Sequence, residues 1–344
     1  MTAKPIAAKP IAIVTGGAGF IGSHMVDLLL ERGYAVRVVD SLVGGRESNL
    51  AHQAGNPDLA CEWLDIRKLE PGGTLFKDAR LVFHFAGIGD IVPSIDQPID
   101  YMSTNVMGTV QVLEAARAAG VERLVYAASS SCYGLAATPT REDHPIAPQY
   151  PYALSKYQGE QAAFHWHQVY KLPVNSIRIF NAYGIRSRTT GAYGAVFGVF
   201  LRQKLAGRPF TVVGDGTQRR DFVYVTDVAE AFLAAAQAPT AGRVYNVGAG
   251  RPQPVLRLVE LLGGETVFIP KRPGEPDCTW ADISAITGEL GWRPRVSFEE
   301  GVARIVARID DWRDAPLWDP QSIDTATRTW FEMLAVPQKG GAND

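Results

Sequence analysis

Cysteine is scarce in this 344-residue chain: there are three, Cys61, Cys132 and Cys278. They are odd in number, far apart and without metal-ligand spacing, which argues against a disulfide framework and leads to the expectation of a reducing, cytoplasmic setting. No run of about 18 apolar residues occurs, so no membrane span is expected. The opening Met1–Ala12 repeats AKPIA without an apolar core before a cleavage site, so no targeting segment is expected either. A block of one charge sign is also missing. Lys plus Arg total 34 against 36 for Asp plus Glu, and a nucleic-acid partner has no electrostatic footprint. His165 and His167 lie in the string HWH with no third ligand at suitable spacing, so they read as a polar helix face and no metal is expected. His84 at a strand end reads as a buried, hydrogen-bonded histidine, and Cys132 as a small buried residue.

What is present is an ordinary globular composition, 46% hydrophobic, long enough for one large domain or two sharing a cleft. An apolar run at Ile11–Val14 ends in glycines, a helical pattern runs through Leu28, Leu29 and Leu30 to Gly33, and Ala35–Val39 reads as another strand. Similar runs at Leu81–Phe85, Leu124–Ala128 and Val174–Ile179 alternate with helical stretches at Tyr101–Ala119 and Ser155–Tyr170. That order predicts a parallel sheet covered on both faces. Past Asn181 the spacing becomes irregular, with Gly/Pro punctuation at 207–209, 214–216, 248–254 and 270–276, which suggests a smaller second lobe. Glu299–Asp311 and Gln321–Leu334 read as amphipathic closing helices, and no repeat indicates a solenoid.

Directly after the first strand stands Thr15-Gly16-Gly17-Ala18-Gly19-Phe20-Ile21-Gly22. Small residues there permit a tight turn, and N–H groups at the helix start face an anion, so a pyrophosphate can sit close. Asp40 ends the second strand, where a carboxylate can accept from both ribose hydroxyls of NAD. Arg37 and Arg46 lie near enough in sequence to leave NADP open. In Tyr152-Ala-Leu-Ser-Lys156 the two functional groups share a helix face. A phenol becomes a general base when nearby positive charge favours its ionised form, and Lys156 together with a nicotinamide ring would do so. Ala127-Ala128-Ser129-Ser130-Ser131 closes a strand, placing hydroxyls at the sheet's carboxyl edge, where one serine could bind a reacting hydroxyl. The fold expected is α/β, a Rossmann-type doubly wound parallel sheet with a smaller C-terminal α/β substrate lobe. Its boundaries are 11–181 for the NAD-binding domain and 182–336 for the interleaved lobe, with loose termini at 1–10 and 337–344.

At this point the chain resembles the extended short-chain dehydrogenases, and within them the nucleotide-sugar epimerase/dehydratase family that includes UDP-glucose 4-epimerases. The likeness runs roughly from Ile11 to Pro294. It includes TGGAGFIGSH, Leu64-Asp65-Ile66, His84-Phe85-Ala86-Gly87, Asn105 in TNVMGT, YALSK, Arg178-Ile-Phe180-Asn181, Arg220 in GDGTQRRDF, Arg272-Pro-Gly-Glu275 and Leu290-Gly291-Trp292. The resemblance implies NAD as cofactor, with Gly16, Gly19, Phe20, Ile21, Gly22, Asp40 and Ser41 around it. Asp65 and Ile66 would border the adenine, and Phe85, Ala86, Gly87, Asn105 and Phe180 would line the cofactor beside Tyr152 and Lys156. It implies a nucleotide-sugar substrate whose diphosphate is held by Asn181, Arg220 and Arg272, with Ser130 and Glu275 also contacting it. Arg220 followed by Asp221 also has a plainer reading as a surface ion pair. A homodimer through two helices per subunit is implied as well.

Two matches bear on the reaction. Dehydratases carry an Asp-Glu pair where this chain has Ser130-Ser131, so elimination lacks its acid and base. In 4-epimerases a large residue at the position matching Thr279 excludes N-acetyl sugars, and threonine there would admit them. Gly89 stands where some epimerases have a phosphate-contacting lysine. Ile185 replaces the usual proline, and Arg186–Gly194 departs from typical UDP-galactose epimerases. The reading is 4-epimerisation through a 4-keto sugar, with Tyr152, Lys156 and Ser129 catalytic. The alternative is a 4-oxidase or 4-ketoreductase with net redox change, and behind it a 4,6-dehydratase or a non-catalytic NAD-binding protein.

Overall fold

A computed structural model describes residues 9–187 and 196–334. The loose ends expected at 1–10 and 337–344 lie outside these apart from residues 9 and 10, as do residues 188–194 of the atypical segment. Short β-branched runs bounded by glycine or polar turns form strands, and the 3.6-periodic stretches between them form helices. The first half runs β1 (Ile11–Thr15), α1 (Phe20–Glu31), β2 (Ala35–Asp40), β3 (Leu59–Trp63), β4 (Ala79–His84), α2 (Ile91–Asp96), α3 (Pro98–Met102), α4 (Gly108–Ala119), β5 (Arg123–Ser129), α5 (Pro151–Tyr170) and β6 (Val174–Ile179). The helix expected over Tyr101–Ala119 is α3 and α4 joined by a π-helical stretch at Ser103–Met107. Helix α5 begins ahead of the expected Ser155 because Pro151 suits a first helical turn.

The second half runs β7 (Asn181–Tyr183), α6 (Val196–Leu205), β8 (Phe210–Val213), β9 (Arg219–Arg220), β10 (Phe222–Tyr224), α7 (Val225–Ala236), β11 (Arg243–Val247), β12 (Gln253–Pro254), α8 (Val255–Leu262), β13 (Thr266–Ile269), α9 (Ser284–Leu290), α10 (Phe298–Val306) and α11 (Pro320–Leu334). Seven parallel strands make one sheet in the order β11-β6-β5-β4-β1-β2-β3. Neighbouring residues of its central strands face opposite layers. Val14 and Phe83 join Met25, Leu29 and Phe232 from α1 and α7, whereas Ile13 and Val82 join Val112, Leu113 and Ala163 from α4 and α5. Residue 181 does not bound the sheet, since α7 packs on it and β11 pairs with β6 from Arg243 to Val247. The remaining elements have their own core, where Phe200, Phe210, Leu258 and Trp312 are buried together.

Buried polar groups fix how these layers lock. Glu160 on α5 accepts from Ser176 Oγ at 2.8 Å and from Arg178 Nη2 at 2.6 Å, both on β6. Arg178 Nη1 also donates to Tyr133 Oη at 2.8 Å and Glu142 O at 3.0 Å. The side chains of the pair are only 6% and 1% exposed. At the end of β4, His84 Nε2 lies 2.9 Å from Thr109 Oγ1, which itself donates to Asn105 O at 2.6 Å. Nε2 is therefore assigned the proton, and Nδ1 accepts from Thr15 Oγ1 at 2.6 Å. His84 thus ties β1, β4 and α4 together as a buried, bonded residue.

Replacing Glu160 with alanine strands the Arg178 charge, and the expected loss in unfolding free energy is about 3–5 kcal/mol; urea denaturation checks it, and an unchanged midpoint would contradict the role given to this pair. A second expectation concerns pH. Burial holds His84 down at about 3, and burial aided by Arg186 holds His24 at about 4. The native chain therefore binds fewer protons than the unfolded chain below the ordinary value of 6.5. The stability allowed by each neutral ring is complete above about pH 6.5 and is lost as pH falls, about 2 kcal/mol per ring by about pH 5. Urea midpoints measured near neutrality and near pH 5 should lie closer together for His84→Asn than for the unmodified chain. Equal slopes would remove His84 from the account.

Candidate active site

Many of the residues expected around the cofactor follow the carboxyl ends of parallel strands: the glycine loop after β1, Asp40 at the end of β2 and Phe85–Gly87 after β4, with β1 having β2 on one side and β4 on the other. The two exits nearly touch. A Cβ on Gly16, which has φ +72°, would lie 2.6 Å from Ala86 N, and one on Gly22 would lie 2.1 Å from Gly16 O. Glycine at these positions is a steric necessity. Gly19 is the N-cap of α1 and brings no side chain to its first turn, so the N–H groups of Phe20, Ile21 and Gly22 face outward with the positive end of the helix dipole. Asp40, buried at the end of β2, accepts from Ala18 N at 2.9 Å and Leu42 N at 2.8 Å. Burial pushes its carboxyl above the usual range while these two bonds oppose the shift. Its oxygens keep further lone pairs for hydroxyls, and exposed Ser41 lies next to it. This backbone cradle and carboxylate fit a dinucleotide. Both arginines that left NADP open are engaged, Arg37 with Leu75 O and Lys77 O, and Arg46 with Ser187 O.

Several residues expected to line the cofactor also make contacts within the protein beside the glycine loop and α5. Asn105, 1% exposed, clamps Ile88 through both its N–H and C=O, and its Nδ2 also donates to Ser155 Oγ at 2.9 Å. It holds the Gly87–Ile88 loop against α5. A Cβ on Gly87 would meet Asn105 Oδ1 at 2.8 Å. The Phe85 ring stacks obliquely on Phe232 with centroids 4.4 Å apart, leaving its main chain beside the glycine loop. Phe180 packs with Cys132, Tyr133 and Ala281. Asp65 caps a short turn and grips Arg67 through both carboxylate oxygens, and that hydrogen bonding depresses its pKa. Ile66 is buried against Gly108.

The group expected to be catalytic is assembled from β5 and α5. Tyr152 is hydrogen-bonded to Ser129, whose Oγ donates to Ser131 Oγ at 3.0 Å; Ser131 in turn bonds Tyr150. The Tyr150 and Tyr152 rings lie nearly parallel with centroids 6.4 Å apart. Lys156, 7% exposed, sits with Nζ 4.6 Å from the Tyr126 ring centroid. The expected lowering of the phenol by Lys156 is not what the protein's own groups produce. Burial pushes Tyr152 up, opposed by Ser129 and reinforced by the charge of Asp90. Burial likewise pulls Lys156 down to about 8, with Glu160 opposing. The buried Cys132 thiol is pushed up to about 12, which leaves it unreactive.

Beside this group lies a cavity of about 400 Å³ that collects all six residues expected at the substrate: Ser130, Asn181, Arg220, Arg272, Glu275 and Thr279. Asn181 Oδ1 accepts from Thr279 Oγ1 at 2.6 Å, which itself accepts from Asp221 N at 3.2 Å. Arg220 does not pair with Asp221, as the plain surface reading had it. It donates to Glu275 Oε1 at 2.7 Å, and Arg272 Nη1 approaches Glu275 Oε2 at 3.7 Å. That Oε2 is buried without a hydrogen-bond partner among the described residues. Asp221 instead sits fully buried, accepting N–H bonds from Ala249, Gly250 and Ala281. Gly89 and Asp90 also line the cavity, as do Tyr150 and Trp330, which the sequence reading missed. Tyr150 carried a signal, the string QYPY ahead of the helix; Trp330 carried none beyond helical spacing.

Residues 12–248 match the family described as NAD dependent epimerase/dehydratase. A UDP-glucose 4-epimerase of Mycolicibacterium smegmatis is 38% identical over 306 residues, covering 86% of this chain and 96% of that protein. A dTDP-glucose 4,6-dehydratase of an Actinoplanes species is 33% identical, with 86% of this chain and 96% of the relative covered. Among solved structures, UDP-glucose 4-epimerase of Thermotoga maritima with UDP-glucose superposes with a TM-score of 0.81 at 33% identity, covering 88% of this chain and 99% of the other. The chain belongs to the NAD-dependent epimerase/dehydratase family.

Proposed function

We propose that this protein inverts the hydroxyl at C4 of a nucleotide-activated hexose, either the UDP-glucose/galactose pair or its N-acetylhexosamine counterpart. The observation that supports it most directly is the single cavity gathering two arginines, Asn181 and Thr279 next to the Tyr152–Ser129 pair. The guanidinium groups of Arg220 and Arg272 would hold the diphosphate, and Glu275 Oε2 would accept from a ribose hydroxyl. With the diphosphate as pivot, the hexose can present either face to the same catalytic group. Ser129 orients the C4 hydroxyl, and Tyr152 Oη takes its proton and later returns it. NAD, when bound along the glycine loop and Asp40, supplies a hydride acceptor and the positive charge that favours the phenolate. Ser130 and Ser131 offer no carboxyl group to abstract a proton from C5, which disfavours dehydration even though dehydratases are among the relatives.

The direct test is to incubate the protein with NAD and UDP-, dTDP-, GDP- and CDP-hexoses, following sugar products by NMR and NADH by absorbance. A C4-inverted sugar with no lasting NADH supports epimerisation. A keto sugar accumulating with NADH moves the assignment to the oxidoreductase alternative. Tyr152→Phe should lower kcat by about 10²–10⁴-fold while NAD still binds, and turnover near that of the unmodified protein would sink the role given to the phenol.

The pH profile gives a separate check. Because the Asp90 charge raises the Tyr152 pKa, removing it makes the phenolate easier to form. Asp90→Asn should move the acidic limb of kcat/KM toward lower pH, by less than about one unit for a charge acting at a distance. A limb that stays fixed or moves upward rules out this electrostatic coupling.

A further inference from the structure

Helix α11 is framed as an independent addition. Asp319 accepts from Ser322 N at 2.7 Å while Ser322 Oγ accepts from Asp319 N at 2.9 Å, a reciprocal cap that starts the helix. Its buried stripe is Ile323, Thr327 and Trp330, one face at helical spacing. The family match ends at residue 248. The M. smegmatis relative is covered over 96% of its length by only 86% of this chain, and the T. maritima structure over 99% by 88%. A share of that size, counted from β1, ends before α11 begins at Pro320. This helix therefore lies beyond the length that those relatives account for.

It does not lie idle on the surface. Helix α11 packs against α2, which follows the β4 exit, and so bridges the cleft. Trp330, 5% exposed, lines the substrate cavity itself. Its indole Nε1 donates to Pro273 O at 2.8 Å, one residue past Arg272. The Arg272 guanidinium lies over its ring at 5.6 Å, and the Tyr150 ring sits beside it at 6.3 Å. One side chain thus touches the strand of chain that carries Arg272, the guanidinium itself, and the tyrosine stacked on Tyr152.

We infer that α11 is a working part of the substrate site, in which Trp330 is a positioning residue that presets the Arg272 guanidinium toward the diphosphate and holds Tyr150 as the cavity wall. This rests on the nucleotide-sugar reading above. A guanidinium held over an aromatic face and braced by a main-chain bond loses less freedom when it meets an anion, so the effect falls on binding and not on the chemical step.

The test measures calorimetric binding of UDP, dTDP, GDP and CDP to the full chain, then compares Trp330→Leu and Trp330→Phe on whichever binds the unmodified protein most tightly. Trp330→Leu stays apolar but removes the aromatic face and should weaken binding and raise KM for the matching sugar by about tenfold, with kcat changed less than about twofold. Trp330→Phe should restore most of the loss. In an Arg272→Ala background, Trp330→Leu should add little, since its partner is gone. Binding by Trp330→Leu equal to that of the unmodified chain, or an equal added loss without Arg272, overturns the inference while leaving the nucleotide-sugar reading intact. If no nucleoside diphosphate binds the unmodified chain, that reading fails and the inference fails with it.

Discussion

Helix α5 can bring Tyr152 to Ser129 in only one rotation about its axis, and the buried Glu160–Arg178 pair sets that rotation. Tyr152, Lys156 and Glu160 follow one another at a spacing of one helical turn, so they share a face. Once Glu160 is fixed by Ser176 and Arg178 on β6, Lys156 is directed over Tyr126 on β5 and Tyr152 reaches the strand-end serine. The pair is costly to desolvate, and its worth to stability alone is small or negative compared with an apolar replacement. Its return is geometric: a phenol held within hydrogen-bond reach of a second hydroxyl is the precondition for proton transfer. Arg178 extends the same order toward the substrate side through Tyr133, whose hydroxyl donates to Asn246 on β11.

That last contact explains why the second half of the chain has to return to the sheet. Strand β11 supplies Asn246, and the loop after it supplies the N–H groups that Asp221 gathers. Asp221 directly follows Arg220, so the fully buried carboxylate anchors the main chain from which the arginine reaches Glu275. Arg220 and Arg272 are therefore placed by buried acceptors on one side and by Glu275 between them. Two cations with one internal carboxylate leave an excess of positive charge, which the proposed diphosphate would use, without leaving bare like charges in contact.

The glycine loop, Asp40 and most sheet strands were legible because they depend on local chemistry: a positive φ at Gly16, a close approach at Gly22, and β-branched runs of strand length. The six residues expected at the substrate were picked out by motif resemblance, and the cavity that joins them is a fact of packing. What escaped were relations over long sequence distance. Asn105 occupies a motif position that resemblance places on the cofactor, and its side-chain bonds among the described residues go to Ile88 and Ser155. Asp221 reads as the partner of the residue before it, and only the chain's return from β11 shows its true donors. Strand β3, mostly exposed, lacks the alternation that would announce it. The rejoining of α7 and β11 to the sheet is a topological fact that no local period encodes.

Spacing led to the expectation that Lys156 together with a nicotinamide ring favours the Tyr152 phenolate; in the protein without the ring, burial raises the phenol instead. A turn of helix brings two groups to one face, but burial acts on each alone, favouring the neutral phenol and the neutral amine together. The phenol is thus held neutral, while Lys156, at about 8, stays mostly protonated near neutral pH with its charge weakened by burial. A phenolate becomes more favourable when further positive charge enters the same low-dielectric space, and the nicotinamide of an oxidised dinucleotide carries that charge. Base formation is in this way tied to cofactor occupancy and redox state by burial. The tie runs both ways, because a phenolate beside the ring also favours its oxidised form. A site built so would resist abstracting protons when it holds no oxidant, which would suit the proposed epimerisation, in which every hydride taken is returned.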